Sequence, residues 1–153
     1  MRVAGNVVDL DVMGSVEYGV DHLNTKLVVV MGHESCGAVT AALYANQDKE
    51  PDEINSLLRR IQPALKPLPK SDTREIRIAV GVETNVRQSV EQLRRIPDLR
   101  RAIEWGKVRV VGCIYSLHTD EVKFIDETSD AARWDSKNDG YKIGSDSNRK
   151  ARR

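Results

Sequence analysis

Two short runs of β-branched residues, separated by several helical segments, constrain the fold more than any other feature. The runs are KLVVVMG (residues 26–32) and KVRVVGCIYSL (residues 107–117). Continuous apolar runs of this length predict strands that are buried on both faces. The later segment EVKFID (residues 121–126) alternates polar and apolar residues and predicts an edge strand. Since strands that alternate with helices form a largely parallel sheet, we expect an α/β fold with helices flanking the sheet.

Helical patterns fill most of the remaining chain. Five segments predict helices, because their apolar residues recur at helical spacing or follow a turn of small residues. They are residues 12–23, 35–44, 51–65, 82–95 and 97–105. Asp11 stands where the N-cap of the first helix would fall. The prolines of LKPLPKSD (residues 65–72) predict a loop.

Length and composition favour one ordinary globular domain. The chain has 153 residues, of which 40% are hydrophobic and 31% charged. We expect a domain over residues 1–135, followed by a polar tail over residues 136–153. The basic end of that tail could contact an acidic partner, although a solvated tail is the favoured interpretation.

Charge and cysteine usage bear on partners and compartment. The formal net charge of +1 predicts no general attraction to nucleic acid or to anionic membranes. No apolar run approaches the roughly 20 residues that span a bilayer, and the N-terminus lacks the apolar core of a secretion signal. Two cysteines do not make a disulfide framework, so we expect a cytoplasmic protein.

The clearest chemical signal is the pair His33 and Cys36, which follows the first strand between Gly32 and Gly37. Sites gather at the carboxyl ends of strands in parallel sheets. A helix N-terminus stabilises negative charge and so favours the thiolate form of a cysteine placed there. Thiolate and neutral imidazole together suit Zn²⁺. The alternative is a plain strand-to-helix loop with an inert, packed thiol.

Several blocks, in order and with similar spacing, resemble β-class carbonic anhydrases over residues 2–125. The most specific element is G-H-x-x-C-G, from Gly32 to Gly37. The blocks are RVAGNVVD (residues 2–9), GSVEYGVDHL (14–23), VVVMGHESCGAV (28–39), ETNVRQSVEQL (83–93) and GKVRVVGCIYSLHTDEV (106–122). The resemblance implies an α/β zinc enzyme that hydrates CO2 reversibly to bicarbonate and assembles as dimers or larger oligomers.

The chain departs from that family at its start. The resemblance implies a zinc ion held by one histidine and two cysteines, and His33 and Cys36 match the histidine and the second cysteine. The family's first cysteine lies in a C-x-D-x-R motif upstream of RVAGN, whereas this chain begins MRVAGN. We therefore assign no catalytic aspartate or arginine. We hypothesise that Met1 corresponds to an internal valine, whose codon was taken as the start codon.

The same departure affects the sheet. In the family the missing strand lies inside the sheet, beside the strand that leads to His33. We therefore expect an incomplete fold in which KLVVVMG keeps unpaired backbone groups on one edge. A partner chain, a rearranged sheet or self-association across that edge would cover them.

Other residues are poor substitutes for the missing ligand. Cys113 falls within a predicted strand and is expected to be a buried structural thiol. His22 falls late on a helix and is expected to be solvated, while His118 is the least unfavourable because it follows a strand. Asp9 and Asp11 are expected to be cap or loop residues rather than replacements for the family's aspartate.

Three functional hypotheses follow from the sequence. The first is a zinc-dependent carbonic anhydrase, impaired in the chain as printed. The second is a related zinc hydrolase acting on a CO2-like molecule such as carbonyl sulfide or carbon disulfide. The third is a non-catalytic relative that acts as a partner or remnant.

Overall fold

The structure is a computed structural model that describes residues 1–69 and 73–125. The predicted tail over residues 136–153 and the domain boundary at residue 135 lie outside the described residues. The α-helices are α1 (Leu10–Leu23), α2 (Gly37–Tyr44), α3 (Asp52–Leu65), α4 (Arg74–Arg94) and α5 (Pro97–Glu104), and the strands are β1 (Leu27–His33), β2 (Arg109–Tyr115) and β3 (Val122–Phe124).

The strands form one sheet in the order β1-β2-β3. β1 and β2 run parallel, with Leu27 opposite Arg109 and His33 opposite Tyr115. β3 runs antiparallel to β2 at the far edge. The predicted α/β fold with a parallel pair and an edge strand is confirmed. Among the described residues β1 pairs only with β2, so it lies at an edge of the described sheet.

Helix α4 joins the two parts of the hydrophobic core. Its residues Val86 and Val90 pack with Val30 of β1 and Val110 of β2 in one cluster. Val82, one turn earlier, packs with side chains of α2 and α3 in the other cluster. The predicted apolar stripe on this helix therefore faces the core. Burial of each such side chain stabilises the folded state by about 1.5–3 kcal/mol.

The prediction that β1 is buried on both faces is wrong. Leu27, Val29 and Met31 are 52%, 39% and 48% exposed, whereas Val30 is only 8% exposed. Successive side chains of a strand point to opposite faces of the sheet. Within the described residues, helices cover the face that carries Val30 and leave the other face of β1 half exposed.

Two helices begin earlier than predicted. Asp9, not Asp11, caps α1, because its Oδ1 accepts the Val12 N–H at 2.9 Å. Asp11 lies within the first turn of that helix. α4 begins at Arg74 instead of residue 82, with Thr73 as its N-cap. None of the described helices has both the length and the apolar character needed to cross a lipid bilayer.

Candidate metal centre

The turn between β1 and α2 carries both predicted ligands and lies at the carboxyl end of the parallel pair. β1 ends at His33, and Cys36 is the N-cap residue of α2. Glu34 and Ser35 connect them, and Ser35 takes a left-handed conformation with φ of 53°. The strand-end position predicted from the sequence is therefore observed, although the assignment of both residues as metal ligands stays a prediction.

The His33 imidazole is exposed, and one of its ring nitrogens faces a backbone carbonyl. Its Nδ1 lies 2.8 Å from the carbonyl oxygen of Glu34. A carbonyl oxygen can only accept a hydrogen bond, so this contact favours the tautomer that carries its proton on Nδ1. The lone pair of Nε2 is then left for another partner. Histidines that ligate metals show this arrangement, with the second ring nitrogen donating to a carbonyl or carboxylate.

Cys36 is buried, with 4% exposure, and packs in the cluster that contains Val39, Ile61 and Val82. Its carbonyl accepts the backbone N–H of Thr40 at 2.9 Å and the Thr40 hydroxyl at 3.0 Å, which holds the first turn of α2. The burial agrees both with a ligand shielded from water and with an inert packed thiol.

Gly32 lets the end of β1 lie directly on α4. A Cβ at this position would lie 2.6 Å from Cγ2 of Val86 and 3.1 Å from Cγ1 of Val82. A side chain here would have to displace Val86 or Val82, or move β1 away from α4. The glycine that precedes the histidine thus permits this close contact.

A buried polar network, not anticipated from the sequence, ties the short 3-10 helix Ala4–Asn6 to α4. Asn85 is 1% exposed and donates to the Gly5 carbonyl at 2.7 Å. Ser89 is 2% exposed; its hydroxyl donates to the Asn6 carbonyl at 2.9 Å and accepts from the Asn6 side-chain amide at 3.1 Å. The available signal was the occurrence of Asn85 and Ser89 between the valines of an otherwise apolar helix face.

Glu34 was also missed, and it connects two loops. Its Oε2 accepts the Ser116 hydroxyl at 2.9 Å and the Leu117 N–H at 3.0 Å. Its own N–H donates to the Tyr115 carbonyl at 3.0 Å. The turn that carries His33 is therefore fastened to the turn that follows β2. The sequence offered no signal for this contact beyond the position of Glu34 inside the motif.

The other candidate donors lie elsewhere or are already engaged. Cys113 is fully buried in β2, and burial raises the pKa of its thiol. His22 stacks on Tyr18 with ring centroids 4.7 Å apart, and His118 is exposed in the turn before β3. In the part of the chain that the structure describes, no three or more His, Cys, Asp or Glu residues are grouped to hold a metal ion.

The residues present thus fit part of a zinc centre. Nε2 of His33 and the Cys36 sulfur have the right chemistry, since imidazole and thiolate are preferred zinc ligands. A catalytic zinc takes three protein ligands, and the described residues supply two that match.

Comparison with known proteins points to one family. A family model described as carbonic anhydrase matches residues 1–122. Carbonic anhydrase 2 of Mycobacterium tuberculosis is 36% identical over 120 residues, which are 76% of this chain and 57% of that protein. A carbonic anhydrase of Mycolicibacterium smegmatis is 32% identical over 80% of this chain and 60% of its own length. The chain thus spans less than two thirds of these relatives.

Solved structures give the same fold. A β-carbonic anhydrase of Coccomyxa, in complex with acetazolamide, matches with a TM-score of 0.75 and 28% identity, over 82% of this chain and 59% of that one. One of two tetrameric β-carbonic anhydrases from Sordaria macrospora matches with a TM-score of 0.70 and 22% identity, over 82% of this chain and 66% of that one. From the motif, the fold and these matches together, the chain belongs to the β-class carbonic anhydrase family.

Proposed function

We propose that this chain is the greater part of a zinc-dependent carbonic anhydrase that hydrates CO2 reversibly to bicarbonate. The observation that carries the proposal is the β1–α2 turn, where His33 and Cys36 stand at the carboxyl end of a parallel strand pair. This turn lies within the region that matches the family model.

His33, through Nε2, and Cys36, through its sulfur, would hold the zinc ion. When bound, zinc supplies a Lewis acid that makes water nucleophilic near neutral pH. The resemblance assigns the third protein ligand to a cysteine that the printed chain does not contain. We therefore expect the 153-residue chain by itself to bind zinc weakly and to hydrate CO2 slowly.

The proposal includes a homo-oligomer in the cytoplasm. The outer edge of β1 has no strand partner among the described residues, and Leu27, Val29 and Met31 are exposed beside it. Uncovered apolar edges of this kind favour association with another chain. Tetrameric structural relatives support the same expectation.

A non-catalytic relative is the second candidate. It is favoured by the finding that the described residues contain no group of three or more metal donors. In this case the turn at His33 and Cys36 would be retained for folding or for contact with a partner.

Metal binding and turnover can separate these candidates. Zinc content and stopped-flow CO2 hydration would be measured for the 153-residue chain. They would also be measured for a chimera that adds the residues preceding the matched region in the M. tuberculosis relative. The first candidate predicts weak zinc binding by the chain, with tight binding and fast turnover in the chimera. A chimera that folds but binds no zinc would favour the non-catalytic candidate.

Matched variants test the assignment of ligands. His33→Ala and Cys36→Ala are expected to abolish zinc binding, because each removes one of two donors. His22→Ala and Cys113→Ala remove the same residue types elsewhere and should leave zinc binding unchanged. Equal zinc content in all four variants would show that the ion is held by other residues.

A further inference from the structure

We propose that Glu34 is a positioning residue that holds the His33 imidazole in the tautomer and orientation that a metal ion requires. The metal-binding purpose of this role rests on the proposed function. The effect of Glu34 on the His33 imidazole can be measured without any metal. Glu34 acts through its backbone carbonyl, and its side chain keeps that carbonyl in place.

The first step is the contact with the ring. The Glu34 carbonyl oxygen lies 2.8 Å from Nδ1 of His33. Because this oxygen can only accept, the contact favours the tautomer that carries its proton on Nδ1 and leaves the Nε2 lone pair free. If the carbonyl turned away, both tautomers and several ring orientations would become available.

The second step is the anchoring of the carbonyl. The orientation of the Glu34 carbonyl depends on the peptide unit that joins Glu34 to Ser35, and Ser35 has a φ of 53°. Left-handed conformations are unfavourable for a non-glycine residue, so this turn needs support from its surroundings. That support comes from the Glu34 N–H, which donates to the Tyr115 carbonyl at 3.0 Å, and from the Glu34 carboxylate.

The third step is the carboxylate itself. Its Oε2 accepts from the Ser116 hydroxyl at 2.9 Å and from the Leu117 N–H at 3.0 Å. Hydrogen bonds to an ionised acceptor are roughly twice as strong as neutral ones. Residue 34 is thereby held by its backbone to the end of β2 and by its side chain to the loop after β2, which restricts rotation of the carbonyl.

A different role for Glu34 makes a different prediction. If its carboxylate were a metal ligand, Glu34→Gln would weaken metal binding as much as Glu34→Ala does. If the carboxylate only anchors the turn, Glu34→Gln keeps an acceptor oxygen for Ser116 and Leu117 and should preserve the site. The glutamine variant therefore distinguishes positioning from ligation.

The primary test is nitrogen NMR of the histidine rings in the metal-free protein, at a pH well above the ordinary histidine pKa of about 6.5. We expect His33 to carry its proton on Nδ1 in the wild type and in Glu34→Gln. In Glu34→Ala we expect a mixture of tautomers. His22, far from this turn in sequence, serves as the internal reference, and Glu53→Ala is the matched control for loss of an exposed carboxylate.

The second readout is Co²⁺ affinity, measured by titration of the chain and of the chimera described above. Loss of a group that orients a metal-bound histidine typically weakens binding 10–100-fold. Because Glu34 acts through its own backbone, we expect about tenfold weakening in Glu34→Ala. Ser116→Ala removes one of the two bonds to the carboxylate and should weaken binding in the same direction by less.

The outcomes separate the two proposals. An unchanged His33 tautomer in Glu34→Ala would overturn the positioning role, as would equal loss of Co²⁺ affinity in the alanine and glutamine variants. If neither chain nor chimera binds Co²⁺ or Zn²⁺ but the tautomer still changes in Glu34→Ala, the proposed function fails and the role of Glu34 stands. If Glu34→Ala does not fold, the same NMR measurement on Ser116→Ala decides.

Discussion

Replacing Gly32 by alanine should destabilise the protein, because a methyl group would enter the contact between β1 and α4. The new Cβ would lie 2.6 Å from Cγ2 of Val86, whereas carbon atoms in contact prefer about 3.5–4.0 Å. Val86 is 0% exposed, so it cannot move out into solvent and would have to shift against other core side chains. The backbone presents no obstacle, since Gly5 and Gly106 are the glycines with positive φ among the described residues.

The magnitude follows from two opposing terms. Inserting a methyl group into a packed core costs about 1–3 kcal/mol. Alanine also restricts the unfolded chain more than glycine does, which offsets about 0.4–1 kcal/mol of that cost. We therefore expect the free energy of unfolding to fall by about 1 kcal/mol in Gly32→Ala, and by no more than about 2.6 kcal/mol.

Gly14→Ala is the matched control for this substitution. Gly14 lies within α1, and a Cβ added there meets nothing within 4 Å. Alanine is favoured over glycine inside a helix, so this variant should gain about 0.8–1 kcal/mol. Urea unfolding monitored by circular dichroism would measure both changes in stability, and the m-value should stay the same in both variants.

A second substitution tests the stated cause. Val86→Ala removes the methyl groups that the new Cβ would meet. As a single substitution it leaves a cavity in the core and is destabilising. The double variant Gly32→Ala with Val86→Ala should be more stable than the sum of the single effects by about 1 kcal/mol. Additive effects, or a Gly32→Ala variant as stable as the wild type, would refute the packing argument.

Three further outcomes are expected. Asp9→Ala removes the N-cap of α1 and should cost about 1 kcal/mol, and a thermal melt should show a smaller loss for Asp11→Ala. Asn85→Ala leaves the buried Gly5 carbonyl without its donor and should lower urea stability by about 1–3 kcal/mol; no measurable loss would contradict the role of the network. Burial raises the pKa of Cys113 above its ordinary value of 9.0, so the folded state binds the thiol proton more tightly and stability should decline as pH rises through and above 9.0. Cys113→Ala should flatten that decline in urea titrations at several pH values, and an unchanged slope would show that other groups cause it.

Periodic patterns predicted the secondary structure well where the period itself carries the information. The stripe of Val82, Val86 and Val90 identified one face of α4, and all three side chains are buried. The parallel strands were likewise evident from their apolar runs. The start of α1 was less accurate, because both Asp9 and Asp11 are good capping residues and the local pattern does not choose between them.

Burial of β1 was predicted wrongly for a physical reason. An apolar run shows that a strand tolerates burial, but the covering of each face depends on what packs there. In the described residues β1 is an edge strand with Val29 and Met31 half exposed. The number of neighbours is a property of the sheet, which a single segment does not encode.

The identities of the candidate metal donors, and their spacing at a strand-to-helix junction, were determined by the sequence alone. His33 and Cys36 are three positions apart in the chain, and local geometry suffices to place them in one turn. The contact of Glu34 with Ser116, 82 residues away, was decided only by the tertiary structure. Such pairs meet because β1 and β2 lie side by side in register, and that pairing depends on the packing of the whole sheet against its helices.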